Sequence, residues 1–297
     1  MTLISVRPMS LLGLLIAAAT SAAAAAAQKT NPDGPLLGAR HLSAVGSLKA
    51  YVPNGSIRIV GWDKDSVVVR GHVPRGATFR IATIPGGARV DIAEANDDVH
   101  VPCDLVIYMP RRGTVGAKTA SASVSARDVS GWIYSVSGSV DVSGSASSME
   151  IQTMTGNVDA NVIVPWIKVT AGGGTVLLRG SPEDADVSTI SGMLTVESPR
   201  IIRGQFATVT GDIHYMGAPP PGGIFELTSH SGTVELSMPA TTSAVFVLSS
   251  VTGQIVNGLS QVRPVSTGPH SLKLSVGRGE AQVTVRTFKG AIRLRQE

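Results

Sequence analysis

Val187-Ser188-Thr189-Ile190-Ser191-Gly192-Met193-Leu194-Thr195-Val196 states in ten residues the pattern that governs most of this chain. By type it is apolar, any, Ser/Thr, usually apolar, usually Ser/Thr, Gly, any, aliphatic, any, usually apolar, and it recurs nine times between Ala117 and Leu294. Its glycines are Gly138, Gly156, Gly174, Gly192, Gly211, Gly232, Gly253 and Gly290, with Ala122 in that place in the first copy. Successive gaps are 16, 18, 18, 18, 19, 21, 21 and 37 residues, and the last implies two turns with one copy eroded. Two residues after the glycine place stand Val124, Val140, Val158, Val176, Leu194, Ile213, Val234, Ile255 and Ile292. Five before it stand Ala117, Ile133, Ile151, Val169, Val187, Phe206, Leu227, Leu248 and Val285. Apolar residues in the same slots at a fixed period mean one supersecondary unit stacked on itself.

Each unit is too short for a strand, a crossover helix and a second strand, and no segment keeps helical spacing for long. The pattern therefore predicts an all-β chain, a parallel β-solenoid (β-helix) of nine to ten coils, rising ~4.8 Å per coil to roughly 45 Å. Side chains alternate along a strand, so the residues two and four after the glycine face inward together. Glycine permits a sharp corner or a positive φ there. Ser or Thr stands one before the glycine in seven of nine copies and three before it in eight of nine. A hydroxyl in those slots bonds to the turn backbone or to the neighbouring coil.

Residues 1–27 have the form of a signal peptide: Arg7, the apolar stretch Leu11–Ala19, and small residues Ala22–Ala27 before a cut near Ala27–Gln28. That stretch is too short to span a bilayer, so no transmembrane segment is expected after cleavage. Residues 28–44 read as an irregular leader. Residues 45–112 alternate in short strands separated by Pro53-Asn54-Gly55, Pro74-Arg75-Gly76 and Pro85-Gly86-Gly87, which predicts a mainly antiparallel sheet acting as a cap. Within it Asn54-Gly55-Ser56-Ile57-Arg58-Ile59 echoes the repeat and suits a first coil or the cap. Residues 113–297 form the solenoid domain, with loops projecting at Pro219-Pro220-Pro221-Gly222-Gly223 and from Gly258 to His270. Open solenoid ends invite end-to-end pairing. The 45–112 sheet is placed to cover one end, and the last coil, with Arg293, Arg295 and Glu297, to blunt the other.

Charge excludes one class of partner. The net charge is +4, the basic residues are scattered, and three Trp, four Tyr and five Phe supply few stacking groups, so nucleic-acid binding is not expected. Cys103 is the only cysteine, which excludes an internal disulfide. It lies in the strand-like run Pro102-Cys103-Asp104-Leu105-Val106-Ile107-Tyr108, where a buried, inert thiol is expected, and nothing supports a pairing with nearby His100.

The stretch Ile57-Arg58-Ile59-Val60-Gly61-Trp62-Asp63-Lys64-Asp65-Ser66-Val67-Val68-Val69, then Tyr108-Met109-Pro110-Arg111-Arg112-Gly113, then the repeated Ser/Thr-Gly-x-Val phrases resemble a bacterial family. It is the domain-of-unknown-function family labelled putative adhesin, of exported β-strand-repeat proteins. The closing Thr287-Phe288-Lys289-Gly290-Ala291-Ile292-Arg293-Leu294 resembles its terminal repeat. The resemblance runs from Val45 to Leu294 and implies a β-solenoid in the envelope or outside the cell. It implies no catalytic residues.

For chemistry, the slot three after the glycine faces outward and reads Ser125, Asp141, Asp159, Leu177, Thr195, His214, Glu235, Val256 and Arg293. Parallel β-solenoids also host polysaccharide lyases and hydrolases, and Asp141 and Asp159, on adjacent coils, are the acidic pair such an enzyme would use, alone or around Ca²⁺. The simpler account makes them two solvated charges, since no basic residue is fixed beside them by the pattern. His214 and His230 occupy different slots, which favours a core or corner histidine over a metal ligand. Glu183, Asp184 and Asp186 form a short acidic turn. Asn96-Asp97-Asp98 lacks the spaced ligands of a calcium loop. Gly172-Gly173-Gly174 precedes no helix or lysine and so cradles no phosphate, and no Gly-x-Ser-x-Gly occurs. Trp132 and Trp166 are single aromatics, for which partial burial at a coil edge is expected over sugar stacking.

The sequence thus predicts a non-enzymatic exported module, adhesin-like or structural, with no catalytic residue, cofactor or metal site assigned. Its contact face is placed on Asp141, Asp159, Thr195, His214 and Glu235, or on the Pro219–Gly223 loop, toward a glycan or an envelope protein. The alternatives are a polysaccharide-active enzyme on the same rod and an envelope component that recognises another protein.

Overall fold

The computed structural model describes residues 33–94, 101–198, 200–259, 262 and 264–297. The expected signal peptide, the start of the leader, the Asn96-Asp97-Asp98 turn and His100 lie outside the described residues. Among the described residues there are 27 strands and no helix.

Each repeat contributes two strands, one on either side of its glycine. In the copy quoted above they are Asp184–Thr189 and Leu194–Glu197. The first strands assemble into a sheet of 14 and the second into a sheet of 13. Pairing is parallel and matches like slots: Val187 lies between Val169 and Phe206, and Leu194 between Val176 and Ile213. The chain is therefore a parallel β-solenoid of two facing sheets. It has eleven coils, more than the nine to ten expected, and a length of about 50 Å.

The core lies between the sheets. Val140, Val158, Val176, Leu194, Ile213, Val234 and Ile292 are at most 2 % exposed. Each buried aliphatic of this kind contributes about 1.5–3 kcal/mol relative to exposure. Ile255 alone in that row is partly exposed, because its strand forms the edge of its sheet.

The glycines are required for a reason the pattern did not state. Among the repeat glycines only Gly174 has a positive φ. What they share is a close approach of backbones. A Cβ on Gly211 would strike the carbonyl oxygen of Gly192, one on Gly232 that of Gly211, and one on Gly192 that of Gly174. Hydroxyls tie the same corner twice. Three before the glycine, the buried Ser135 and Thr189 donate to the carbonyls of Gly138 and Gly192, at 2.8 and 3.0 Å. Thr153 and Thr208 instead accept from the N–H groups of Gly156 and Gly211, both at 2.9 Å. One before the glycine, Thr155, Ser191 and Thr210 donate to Val136, Gly172 and Ile190 of the preceding coil, at 3.2–3.3 Å.

The ends differ from expectation in five respects. Residues 36–41, within the expected irregular leader, form the strand Leu36–His41, antiparallel to Ser66–His72. The 45–112 region is not mainly antiparallel, because two of its strand pairs are full parallel coils. Ser47–Tyr51 and Gly55–Trp62 make the inner one, and Gly87–Glu94 and Cys103–Pro110 stack outside it. Only Leu36–His41, Ser66–His72 and Ala77–Ile84 run antiparallel and cover that end.

At the other end the 37-residue gap holds no eroded copy among the described residues. The chain leaves the Gly253 coil, makes the antiparallel pair Pro264–Gly268 and Ser271–Val276, and returns. Its last coil, Ala281–Thr287 and Ile292–Gln296, is inserted between those of Gly232 and Gly253. The Gly258–His270 segment is thus partly strand, and Arg293 and Arg295 lie inside the stack instead of blunting its end. Antiparallel strands cover both sheets at the first end, and the 14-stranded sheet at the second, where the 13-stranded sheet finishes on the short parallel strand Ile255–Gly258.

Gly211→Ala should lower Tm by about 3–10 °C, the overpacking cost of ~1–3 kcal/mol spread over a chain of this size. Gly173→Ser places a hydroxyl where neighbouring coils already have one and should leave Tm unchanged or raise it by about 2 °C. Thermal unfolding followed by circular dichroism checks both, and equal effects would refute the close-approach account.

Candidate functional site

Three surfaces stand out, set by which slots the corner turns outward. On the 13-stranded sheet the predicted outward row is one straight ladder. Its spatial order is Ser125, Asp141, Asp159, Leu177, Thr195, His214, Glu235, Arg293 and Val256. Arg293 precedes Val256 because the last coil is inserted.

The charges of this ladder are largely met within the chain. Arg179 reaches across to Asp159, with Nη2 2.7 and 2.5 Å from its two carboxylate oxygens. Arg295 lies 3.2 Å from Glu235. Each arginine stands in the row two residues further along the strand, beside the register partner of its acid, and so was invisible to a single-slot reading. Asp141 has no such partner. Partial burial, then the Asp159 charge, raise its pKa above the ordinary carboxylate value, against the smaller opposing pull of Arg179 and Arg127. The arrangement offers hydrogen-bond acceptors along a flat face. Among the described residues no group of three or more His, Cys, Asp or Glu is placed to hold a metal ion.

The second surface is the corner itself. The slot two before the glycine points outward, as alternation from the buried Ser/Thr at three before requires. It carries Val136, Met154, Ile190, Val209, Phe288 and Val251, all between 38 and 58 % exposed. With Gly172 and His230 completing the line, successive members lie ~4.8 Å apart and the ridge is about 34 Å long. His230 stacks on Phe288, ring centroids 5.0 Å apart and planes within 5°. His230 is therefore an exposed corner residue, on a different surface from His214. The ridge is legible in the sequence as the "usually apolar" slot, while its outward direction follows from the burial of the hydroxyl slot beside it.

The third surface is the outer face of the 14-stranded sheet near its first coils. Trp132 stands in mid-sheet and is 45 % exposed, a correction to the expected burial at a coil edge. Register places it between Gly116 and Glu150, with Tyr134 two residues along, between Lys118 and Gln152. Two open clefts use the indole as a shared wall. One of about 270 Å³ is lined by Lys118, Tyr134, Glu150 and Gln152, and one of about 380 Å³ by Lys49, Tyr51, Arg89 and Asp91.

The remaining candidates fall apart. Cys103 is fully buried, and burial, then Glu94 and Asp104, push its thiol pKa up, away from a nucleophile. Asp184 pairs with Arg203 at 2.9 Å. The Pro219–Gly223 loop is tied down where the N–H of Gly222 donates to the Glu280 carbonyl at 2.9 Å.

A two-sheet parallel β-solenoid with outward polar, apolar and aromatic surfaces is the class these observations define. No family model and no curated protein matches the chain. Solved structures do. A Parabacteroides distasonis protein named putative lipid binding protein aligns with a TM-score of 0.54 at 10 % identity, covering 89 % of this chain and 98 % of that one. A Bacteroides fragilis protein named putative adhesin gives 0.43 at 10 % identity over 89 % and 98 % of the two chains. A Clostridium sporogenes protein named putative cell adhesion protein gives 0.21 at 9 % identity over 88 % and 98 %. At such identity the first of these likenesses is one of fold alone.

A raised carboxyl pKa means that folding favours the protonated form. Its stabilising contribution is complete at low pH and is lost as pH rises through the folded-state value. Asp141→Asn should therefore raise Tm slightly, by about 1–2 °C, at pH 7 and leave it unchanged near pH 3, the partial exposure keeping the effect small. Asp159→Asn removes the partner of Arg179 and should give no such gain. Thermal melts at the two pH values compare the variants.

Proposed function

We propose that this chain is a non-enzymatic, exported β-solenoid that serves as an adhesin-like binding or structural module of the cell envelope or surface. The observation that carries the proposal is the corner ridge. Exposed apolar residues are ordinarily scattered, whereas a row of them, interrupted here only by Gly172 and His230, marks a place of contact. Six large apolar side chains held in line on a backbone that cannot flex independently suit the surface of an envelope protein. Affinity comes from repetition of weak contacts along the rod. The form of residues 1–27 supports export. The names of the structural neighbours, two of adhesion proteins, accord with this role without carrying it.

The enzyme alternative needs Asp141 and Asp159 as a working acid–base pair. The contact of Arg179 Nη2 with both carboxylate oxygens of Asp159 counts against that, because it occupies the atoms that would have to give or take the proton.

The triple variant Met154→Ser, Ile190→Ser, Val209→Ser should lose retention on purified envelope fractions while keeping Tm within about 3 °C of the parent, since all three side chains point outward. Undiminished retention would remove the ridge from the proposal. Cleavage of an envelope polysaccharide by the parent chain, abolished in Asp141→Asn, would overturn the non-enzymatic assignment.

A further inference from the structure

We infer that the outer face of the 14-stranded sheet carries a saccharide-binding site centred on Trp132, for a neutral chain of at least two hexopyranose rings. It is a different surface from the corner ridge and stands on different observations.

The exposure of Trp132 is structurally supported. A Cβ on Gly116 would come within 2.6 Å of indole atoms Cζ2 and Cε2, so the ring lies over bare backbone that only glycine leaves free. The indole is thus held in one orientation while nearly half of it faces solvent. A pre-set aromatic surface loses little freedom on binding.

The surroundings select the ligand chemistry. On one side Gln152 Nε2 donates to Glu150 Oε1 at 2.9 Å. On the other, Arg89 Nε lies 2.7 Å from Asp91 Oδ2. Each pair presents a donor beside an acceptor, which suits vicinal hydroxyls that must both give and take hydrogen bonds. A pyranose ring offers C–H bonds on one face and hydroxyls around its rim. Those C–H hydrogens are slightly positive and match the negative face of an aromatic ring.

Other ligand classes fit less well. Lys49, Arg89 and Lys118 are offset by Asp91 and Glu150 within the same two clefts. A phosphate backbone or an anionic lipid surface favours cations without interposed carboxylates. An acyl chain would leave the polar rim unpaired. The clefts, at about 270 and 380 Å³, are small and open, so neither encloses a large ligand. Tyr51 provides a second exposed ring in the larger cleft. It stands two strands across the sheet and two residues along it from Trp132, roughly 12 Å away, a separation that an extended oligosaccharide can bridge. Lys118 lies between them, its Nζ 5.6 Å from the centre of the Tyr134 ring.

The test titrates the purified chain lacking residues 1–27 with cello-, chito- and malto-oligosaccharides, following heat and tryptophan fluorescence. A single-stranded DNA oligomer and anionic phospholipid vesicles serve as competing probes. The expected result is saturable binding of at least one oligosaccharide, weakened at least tenfold by Trp132→Ala, less by Tyr51→Ala, and unaltered by Trp166→Ala. Absence of binding at millimolar sugar, binding indifferent to Trp132→Ala, or stronger binding of DNA or vesicles would each overturn the inference. Should Trp132→Ala fail to fold, Lys118→Ala decides, since a site using both clefts must lose affinity with it. The ridge triple variant should keep its affinity for sugar, so failure of this site and failure of the envelope-docking proposal are read separately.

Discussion

Everything in this molecule depends on how closely one coil's corner approaches the next. Where a corner carries the repeat glycine, its α-carbon faces the carbonyl oxygen of the residue in the same place of the adjoining coil, at a distance that leaves no room for a Cβ. That contact sets the register of every coil at once. Because strand side chains alternate strictly, a slip by one residue would turn the whole aliphatic row outward. The buried hydroxyl three before the glycine and the exposed one just before it reinforce the same register, the first within a coil and the second between coils. Register is thus secured mainly by backbone proximity and hydroxyl bonds at the corner, and the aliphatic core fills the space so defined.

The same corner contact reveals the order of the coils. A Cβ on Gly290 would strike the Gly232 carbonyl, and one on Gly253 would strike that of Gly290. The chain's last coil therefore stands between two that precede it in sequence. At the opposite end the coil containing Gly55 is likewise inside one formed later. Each insertion gives a complete coil two parallel neighbours, and antiparallel strands form the margin except where Ile255–Gly258 ends the 13-stranded sheet. On the 13-stranded side this margin is Leu36–His41, whose Gly38 makes room for Phe79 and Ile81 of the strand closing the other sheet. The two sheets are so joined across that end, and the solenoid is closed by its own chain.

A register this rigid has consequences for the surface. Every outward slot becomes a line, whatever occupies it. The charged ladder, the apolar corner and the aromatic patch are three such lines, and each differs from the others in how it satisfies itself. Asp159 and Glu235 find arginines on neighbouring strands, so the ladder is partly self-sufficient, with Asp141 left outside these pairs. The corner ridge finds no equivalent, apart from the stacking of His230 on Phe288. Trp132 is seated on Gly116 yet leaves much of its ring free. Surfaces that remain unsatisfied within the chain are the ones suited to contact outside it.

Much of this was legible in the residues. The period, the inward aliphatic slots, the glycine corner, the Ser/Thr rungs and the all-β parallel stacking follow from alternation and repetition, which are local properties. So does the outward direction of Asp141, Asp159, Thr195, His214 and Glu235. What the chain alone could not decide was which coils are neighbours when the path departs from sequence order, since a gap of 37 residues is compatible with an eroded repeat or an excursion and return. Nor could it decide that Arg179 neutralises Asp159, that Gly116 makes room for Trp132, or that Tyr51 shares a cleft with it. Those pairings join residues on different strands through register and side-chain reach. Periodicity determines what each slot is, and only the three-dimensional stack determines which slots meet.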